Sequence, residues 1–378
     1  MRIAFADFCG WDFHAQSVDM MPMGGAQSAA CHLARSLARE GHVVILISNL
    51  TSPGRYDGVT CFPWRQMDQA ALRSLELDAF VCLLGAGNGA TLRQMLGSRP
   101  LLVLWSGHAH DQPGVQALKD PRERAVYDGF AMVSDWQRAH FQSCFGIEPH
   151  KMAVLRNAIA PAFADMFAGD AFILNKKALP PILAYTSTPF RGLDLLLDAF
   201  PRIRAAAPGT RLRVFSSMKV YQSPAAEDEA AYGALYRRCR EMEGVEYIGA
   251  LPQPELARAL REVTALAYPN TFAETSCISV MEAMAAGCKV ITSELGALPE
   301  TCASFGKLIP IGQSRESYLD QFIGETLRVL RECSARDSGM EGELHRQIAE
   351  INRTSIWPLR TRQWVEWLES RAHHRSPE

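Results

Sequence analysis

VTALAYPNTFAETSCISVMEAMAAGCKVITSE, residues 263–294, decides the fold. Its two ends, VTALAYP and KVITSE, are apolar runs of strand length. Between them, polar and small residues at 274–276 open an apolar helix that closes at Gly287. Strand, loop, helix and strand within about thirty residues make a βαβ unit, and its strands must run parallel because the chain crosses over before pairing. In such a sheet the helix N-terminus stands outside the carboxyl end of the preceding strand, where ligands bind. The free N–H groups expected there, those of Thr275, Ser276, Cys277 and Ile278, together with the helix dipole, favour an anion. A diphosphate fits that site.

The same alternation extends in both directions. RIAFADF, HVVILIS, DAFVCLL, PLLVLW and FAMVS in the first half, and PPILAYT, RLRVFSS and VEYIGAL before the opening stretch, are short apolar runs separated by amphipathic segments. They predict two doubly wound α/β domains with parallel sheets, at 1–165 and 175–355. In GGAQSAACHLARSLAREG (24–41), Ala26, Ala29, Ala30, Leu33, Leu37 and Ala38 fall on one helical face, with Arg35, Arg39 and Glu40 opposite and Gly41 as terminator. NAIAPAFADMFAGDAFILNKKALPP mixes Pro, Gly and polar residues without periodicity, which predicts an interdomain linker near 158–178. SIWPLRTRQWVEWLESR, within an expected helix at 357–378, carries Trp357, Trp364 and Trp367. That helix either docks back on the first domain or caps the second.

Composition narrows the class. At 378 residues, 48% hydrophobic and 21% charged, the chain suits two globular cores. Net charge is −2, and the first 160 residues hold fourteen Lys/Arg against fourteen Asp/Glu, so nucleic acid is not an expected partner and membrane contact is at most peripheral. The ten cysteines form no C-x-x-C pair and read as reduced. The N-terminus enters a strand pattern directly and no apolar run approaches 18 residues, so the expected location is cytoplasmic, including the inner face of a membrane. Oligomeric state is not legible.

Four side chains carry possible chemistry. Glu282 lies inside the helix among Val280, Met281, Ala283 and Met284. It is either a solvated rim carboxylate or one that a ribose diol satisfies at both oxygens. Glu274 precedes the helix, where an acid is also favourable near the N-terminus. Arg191, in FRGLD, is suited to bidentate diphosphate binding or to plain solvation. His108 lies in SGHAHDQPG, a loop leaving the carboxyl end of a strand, with His110 and Asp111 close by; no third ligand cluster supports zinc there.

In context these residues resemble a known family. Glu274, seven intervening residues and Glu282, followed by EAMAAGCKVI, are similar to the E-x7-E motif of retaining glycosyltransferases of family 4, which have the glycosyltransferase-B fold of two Rossmann-like domains facing across a cleft. GGAQSAACHLARSLAREGHVV resembles the family's first loop and helix, RNAIAPAF its linker segment, and TSTPFRGLDLLLDAFPRI its donor-phosphate loop. The resemblance implies that Glu282 binds the nucleotide ribose, Glu274 the donor sugar's hydroxyls, and the amides of Thr275 to Ile278 sugar and phosphate oxygens. It implies that Gly24 and Gly25 let the first-domain loop approach the donor phosphate, that Arg191 binds the diphosphate, and that His108 hydrogen-bonds donor sugar or acceptor.

Many family members carry a second cation where this chain has Thr186. Either another arrangement operates, or Lys219 in FSSMKVY supplies the charge. The activity implied is retaining, metal-independent transfer from a nucleotide diphosphate sugar to a glycan, lipid-linked or small-molecule acceptor, with no cofactor, no metal and no D-x-D motif. A sugar-nucleotide epimerase and a non-catalytic sugar-nucleotide binder are the alternatives; a dehydrogenase would need a G-x-G-x-x-G that the first loop lacks. FCGWDFHAQSVDMMPMGG, with Trp11, Phe13, His14 and Met20 to Met23, suggests an aromatic, partly apolar surface for the acceptor.

Overall fold

A computed structural model describes residues 1–312 and 314–373. The chain forms two compact units. The first comprises Met1–Met20, Gly24–Ala158 and the C-terminal helix Trp357–His373, and the second Met21–Met23 and Ile159–Ile356.

The first unit holds an eight-stranded sheet of β1 (Arg2–Ala6), β2 (Val43–Ser48), β3 (Gly54–Tyr56), β4 (Val59–Pro63), β5 (Ala79–Leu83), β6 (Leu101–Trp105), β7 (Gly129–Met132) and β8 (Met152–Val154), in the order β3-β4-β2-β1-β5-β6-β7-β8. Every pairing is parallel except the β3–β4 hairpin. That hairpin turns on Asp57 and Gly58, both at positive φ (49° and 84°), the backbone of a type I′ turn. Asp-Gly between two β-prone segments was a readable signal for this pair, which the apolar runs alone do not disclose.

The helix Gly25–Arg39 packs on this sheet, but it is not half solvated. Gln27 through Leu37 are all buried, Arg35 included, and Arg35 pairs with Asp19 (2.7 Å) and Asp57 (2.8 Å). The C-terminal helix supplies the second cover. Its Thr361 hydroxyl donates to Ser36 Oγ (2.8 Å), Trp357 stacks on His32, and the fully buried Trp364 meets Phe5 and Trp105 edge-on. Gly129 has no side chain to spare: a Cβ there would stand 2.8 Å from the Trp367 ring. Of the expected 357–378 helix, positions 374–378 lie outside the described residues. In the loop after β1, Phe13 is buried in the core rather than on a surface; Phe8 and Trp64 are the large exposed aromatics nearby in the fold.

The second unit has a six-stranded, wholly parallel sheet of β9 (Ile182–Tyr185), β10 (Arg211–Val214), β11 (Val245–Tyr247), β12 (Ala265–Tyr268), β13 (Lys289–Ser293) and β14 (Lys307–Ile309), ordered β11-β10-β9-β12-β13-β14. The chain builds outward from β9 in one direction, then restarts at β12 and builds in the other. The switch point therefore lies between β9 and β12, where a doubly wound sheet opens a crevice at its carboxyl edge. Residues 159–178 are not a spacer: Phe163, Phe167, Ile173 and Leu174 are core of this unit. Their buried side chains follow no helix or strand period because the segment is a series of tight turns.

Replacing Trp364 with Ala should lower the first unit's stability by about 3–5 kcal/mol, the cost of removing a large buried aromatic. Urea unfolding of the full chain measures it; a loss below about 1 kcal/mol would show that the C-terminal helix is a dispensable cover.

Candidate functional site

Two loops flank the switch point of the second unit, and glycines let them meet. After β9, Thr188 to Arg191 form a tight turn ending at Gly192, whose φ is 104° and whose missing Cβ would lie 2.0 Å from the Pro269 carbonyl oxygen. Pro269 leaves β12, so the β9 and β12 loops touch backbone to backbone. Gly296 does the same on the other side: at φ 61° a Cβ would collide with the backbone of Glu274, whose carbonyl accepts from Ala297 N (2.7 Å). Any L side chain at either glycine displaces the loop it touches.

This packing brings Arg191 and Glu274 together. Arg191 Nη1 donates to Glu274 Oε1 (2.7 Å), with side-chain exposures of 19% and 6%. Nη2 donates to the Tyr221 hydroxyl (3.2 Å), and the guanidinium lies over the rings of Phe272 (4.4 Å) and Phe190 (5.4 Å). The Tyr268 hydroxyl gives Glu274 Oε1 a second bond (2.7 Å). Burial alone would weaken the hold of Arg191 on its proton, but Glu274 and the neighbouring Tyr221 and Tyr268 outweigh it, so the guanidinium stays charged. Both bonds to Glu274 fall on Oε1, and Oε2 takes no part in them.

The helix carrying Glu282 starts later than the sequence suggests. It spans Ile278–Ala285 with Cys277 as N-cap, and the thiol makes no capping bond. Thr275 and Ser276 belong to the preceding loop. The amides left without i−4 partners by helix geometry are therefore those of the turn beginning at Cys277 and Ile278, while Val280 N already reaches Cys277 O (3.2 Å). The polar run 274–276 reads as a helix start because Thr and Ser are common caps. Here the loop spends those residues on reaching Glu274.

Glu282 is not a solvated rim carboxylate. It is 3% exposed, and Oε1 accepts from Ala160 N (3.1 Å) and Gln253 Nε2 (2.7 Å). The idea that a ribose would satisfy both oxygens needs correcting, since the protein itself already supplies two donors to Oε1. Burial pushes the carboxyl up to about 8, and the Ala160 and Gln253 bonds only partly offset it. The far end of the helix is held as firmly. Buried Lys177 donates to Ala286 O (2.7 Å) and Arg261 O (3.0 Å), and Gln347 donates to Met284 O (2.9 Å) and Cys288 O (3.0 Å).

Tyr268, Tyr221, Gln253, Lys177 and Gln347 were not singled out by sequence. Only Tyr268, a polar-tipped residue closing a strand at the switch point, offered a signal. Lys219, by contrast, is exposed, and the residue of FSSMKVY that reaches Arg191 is Tyr221.

In the first unit the His108 loop is fixed through its backbone. Gln137 Nε2 donates to the carbonyls of Ser106 (2.9 Å) and His108 (2.8 Å), and His108 N donates to Ser106 Oγ (3.1 Å). The ring sits against Gly114, where a Cβ would be 2.5 Å away; its Nδ1 is buried without a partner in the protein, and burial lowers its basicity. His110 stacks on His140, and Asp111 is exposed. Gly24 caps the helix Gly25–Arg39 with ordinary extended backbone (φ −62°, ψ 150°), so the turn itself does not require glycine there. Among the described residues no three His, Cys, Asp or Glu side chains are grouped as a metal site, and no helix is long and apolar enough to cross a membrane.

Residues 181–323, which contain β9 to β14 and both glutamates, match the family model of glycosyl transferases group 1. Over those residues the chain is similar to that family. A 125-residue stretch is 29% identical to the phosphatidyl-myo-inositol mannosyltransferase of Mycobacterium tuberculosis, covering 32% of this chain and 30% of that protein. The match thus spans under a third of that curated relative. Solved structures resemble the whole fold. Sucrose-phosphate synthase from Thermosynechococcus elongatus aligns over 98% of both chains at 16% identity with a TM-score of 0.69. A glycosyltransferase from Rickettsia africae aligns over 99% of both at 12% identity with a TM-score of 0.71. The fold is glycosyltransferase-B, and the residues that match the family model lie in its second unit.

The buried Glu282 makes a sign-definite pH prediction. An ordinary glutamate titrates near 4.5, and here the folded value is about 8, so between those values the folded chain keeps a proton that the unfolded chain releases. This residue's contribution to stability therefore falls as pH rises from about 4.5 to about 8 and is level above. Melting curves should show wild type losing stability relative to Glu282→Gln across that window; parallel curves would mean the carboxyl titrates normally.

Proposed function

We propose that the chain is a retaining, metal-independent glycosyltransferase that moves a hexosyl residue from a nucleotide diphosphate sugar to a hydroxyl of a glycan, lipid-linked or small-molecule acceptor. The observation that carries this reading is the arrangement at the switch point of the second unit. There a buried Arg191–Glu274 pair stands beside the uncapped start of the helix whose next turn buries Glu282.

In this reading Glu282 Oε2 accepts from the nucleotide ribose, with Oε1 already anchored by Ala160 and Gln253. Glu274, held through Oε1, offers Oε2 to the hydroxyls of the donor sugar. The diphosphate lies at the helix start and at Arg191, where oriented amides and a guanidinium stabilise the charge that develops on the leaving group. These groups are fixed before the substrate arrives, so little reorganisation accompanies the bond breaking.

The acceptor hydroxyl attacks the anomeric carbon from the side the diphosphate leaves. A departing phosphate oxygen takes the hydroxyl proton, and no protein base is needed. His108 is assigned to hydrogen-bonding the sugar or acceptor as a neutral imidazole, and the Gly24–Gly25 turn to approach of the donor phosphate. The relative's name, a mannosyltransferase acting on a phosphatidyl-inositol, supports a hexose donor and keeps a lipid-linked acceptor among the candidates.

Calorimetry with uridine, guanosine and adenosine diphosphates tests the site. Glu282→Ala should weaken the preferred nucleotide by about 1–3 kcal/mol, the loss of a hydrogen bond to a charged or buried group. Glu274→Ala should mainly reduce turnover. Unchanged affinity for every nucleotide in the first variant, or full turnover in the second, would remove the residue from the site. Transfer abolished by EDTA and restored by magnesium would contradict metal independence.

A further inference from the structure

The carboxyl ends of β9 and β10 hold three hydroxyls that the fold does not explain. The strands lie side by side, with Tyr185 opposite Val214 and Phe215 N bonded to Tyr185 O (2.8 Å), so Thr186 to Thr188 and Ser216 to Ser217 leave adjacent strand ends. Thr186 Oγ1, Thr188 Oγ1 and Ser216 Oγ are buried and have no hydrogen-bond partner in the protein. Thr188 is 6% exposed and Ser216 1%. Their immediate neighbours are satisfied: Ser187 bonds the Tyr268 hydroxyl (3.2 Å), and Ser217 donates to Asp228 Oδ2 (3.0 Å). Buried hydroxyls normally find partners, and a cluster without them at a ligand edge is suited to a ligand acceptor.

Arg191 is the nearby cation, and its Nε too is buried without a partner, while Glu274 offsets its charge. Lys219 is exposed and forms no ion pair among the described residues. Asp228, which meets the turn after β10, is occupied by Ser217 Oγ, Met218 N and Tyr236 Oη.

Resting on the nucleotide-sugar reading above, we infer that this chain holds its donor's phosphates with neutral hydroxyl donors. Thr186, Thr188 and Ser216 donate to phosphate oxygens, and Arg191 is the one cation that the second unit contributes. The position where a second cation is expected by resemblance is thus filled by a hydroxyl cluster, and Lys219 does not replace it. Neutral donors bind phosphate with less dependence on salt than a second cation would, so donor selection falls more on the nucleoside at Glu282 than on phosphate charge.

The test compares UDP, GDP and ADP with uridine, guanosine and adenosine on the full chain, because the ratio of diphosphate to nucleoside affinity isolates the phosphate contribution. Thr186→Val and Ser216→Ala should each weaken the diphosphate by about three- to tenfold, leave the nucleoside unchanged and leave the melting point of the unliganded protein equal or higher. Thr186→Lys should tighten the diphosphate by about tenfold and make its affinity more salt-dependent. A diphosphate-to-nucleoside ratio that stays at the wild-type value in all three variants overturns the inference, and a lowered melting point with that same ratio would make the hydroxyls packing groups. Wild-type protein that binds none of the six ligands would instead overturn the nucleotide-sugar reading, and this inference with it.

Discussion

Arg191 and Glu274 are both largely removed from water, come from loops on opposite sides of the sheet's switch point, and share a 2.7 Å bond. Neither charge is tolerable there alone: removing one partner of a buried pair typically costs about 3–5 kcal/mol because the other is left unpaired. The pair therefore fixes where the β9 and β12 loops must lie. Gly192 and Gly296 are the steric conditions for it, since each lets a backbone approach that any Cβ would block. Tyr268 then ties the carboxylate to the end of its own strand, β12, and Tyr221 ties the guanidinium to the loop after β10. What results is a charged but internally neutral surface at the place where a parallel sheet receives ligands.

The helix beside it is anchored by a second set of bonds. Lys177 and Gln347 satisfy carbonyls at its C-terminal end, and Glu282 binds Ala160 and Gln253 from its middle. Its N-terminal turn has no side-chain cap. A helix held at one end and left open at the other presents its first amides at fixed positions, which is the preorganisation that stabilises developing negative charge. Burial raises the Glu282 carboxyl to about 8, and a ligand that donated hydroxyls to it would favour its ionised form and so release a proton on binding.

Much of this was legible in advance for a simple reason. Parallel strands buried on both faces must be continuous apolar runs, and those of β1, β2, β9, β12 and β13 stand out from the segments around them. Edge strands of three residues, such as β3, β8 and β14, bury too little to announce themselves. The 159–178 segment hid its core role because turns bury side chains without a period. Arg35 was placed on the face opposite the apolar one, and one helix's pattern cannot disclose Asp19 and Asp57, which come from other segments to pair with it there. At the site, the two glutamates were readable as a spaced pair, whereas Tyr221, Gln253, Lys177 and Gln347 reach it from distant positions, and no local pattern marks such residues. The start of the Glu282 helix was misplaced by a few residues because Thr and Ser serve equally as caps and as loop residues.

We propose the Arg191–Glu274 crevice as the place where a sugar is parted from its diphosphate with retention. Proton NMR of the sugar first released or transferred from an α-linked nucleotide donor tests it directly. The α anomer should form first, and Arg191→Ala should abolish its formation while the nucleoside still binds. A β anomer as first product, or undiminished cleavage by that variant, would contradict it.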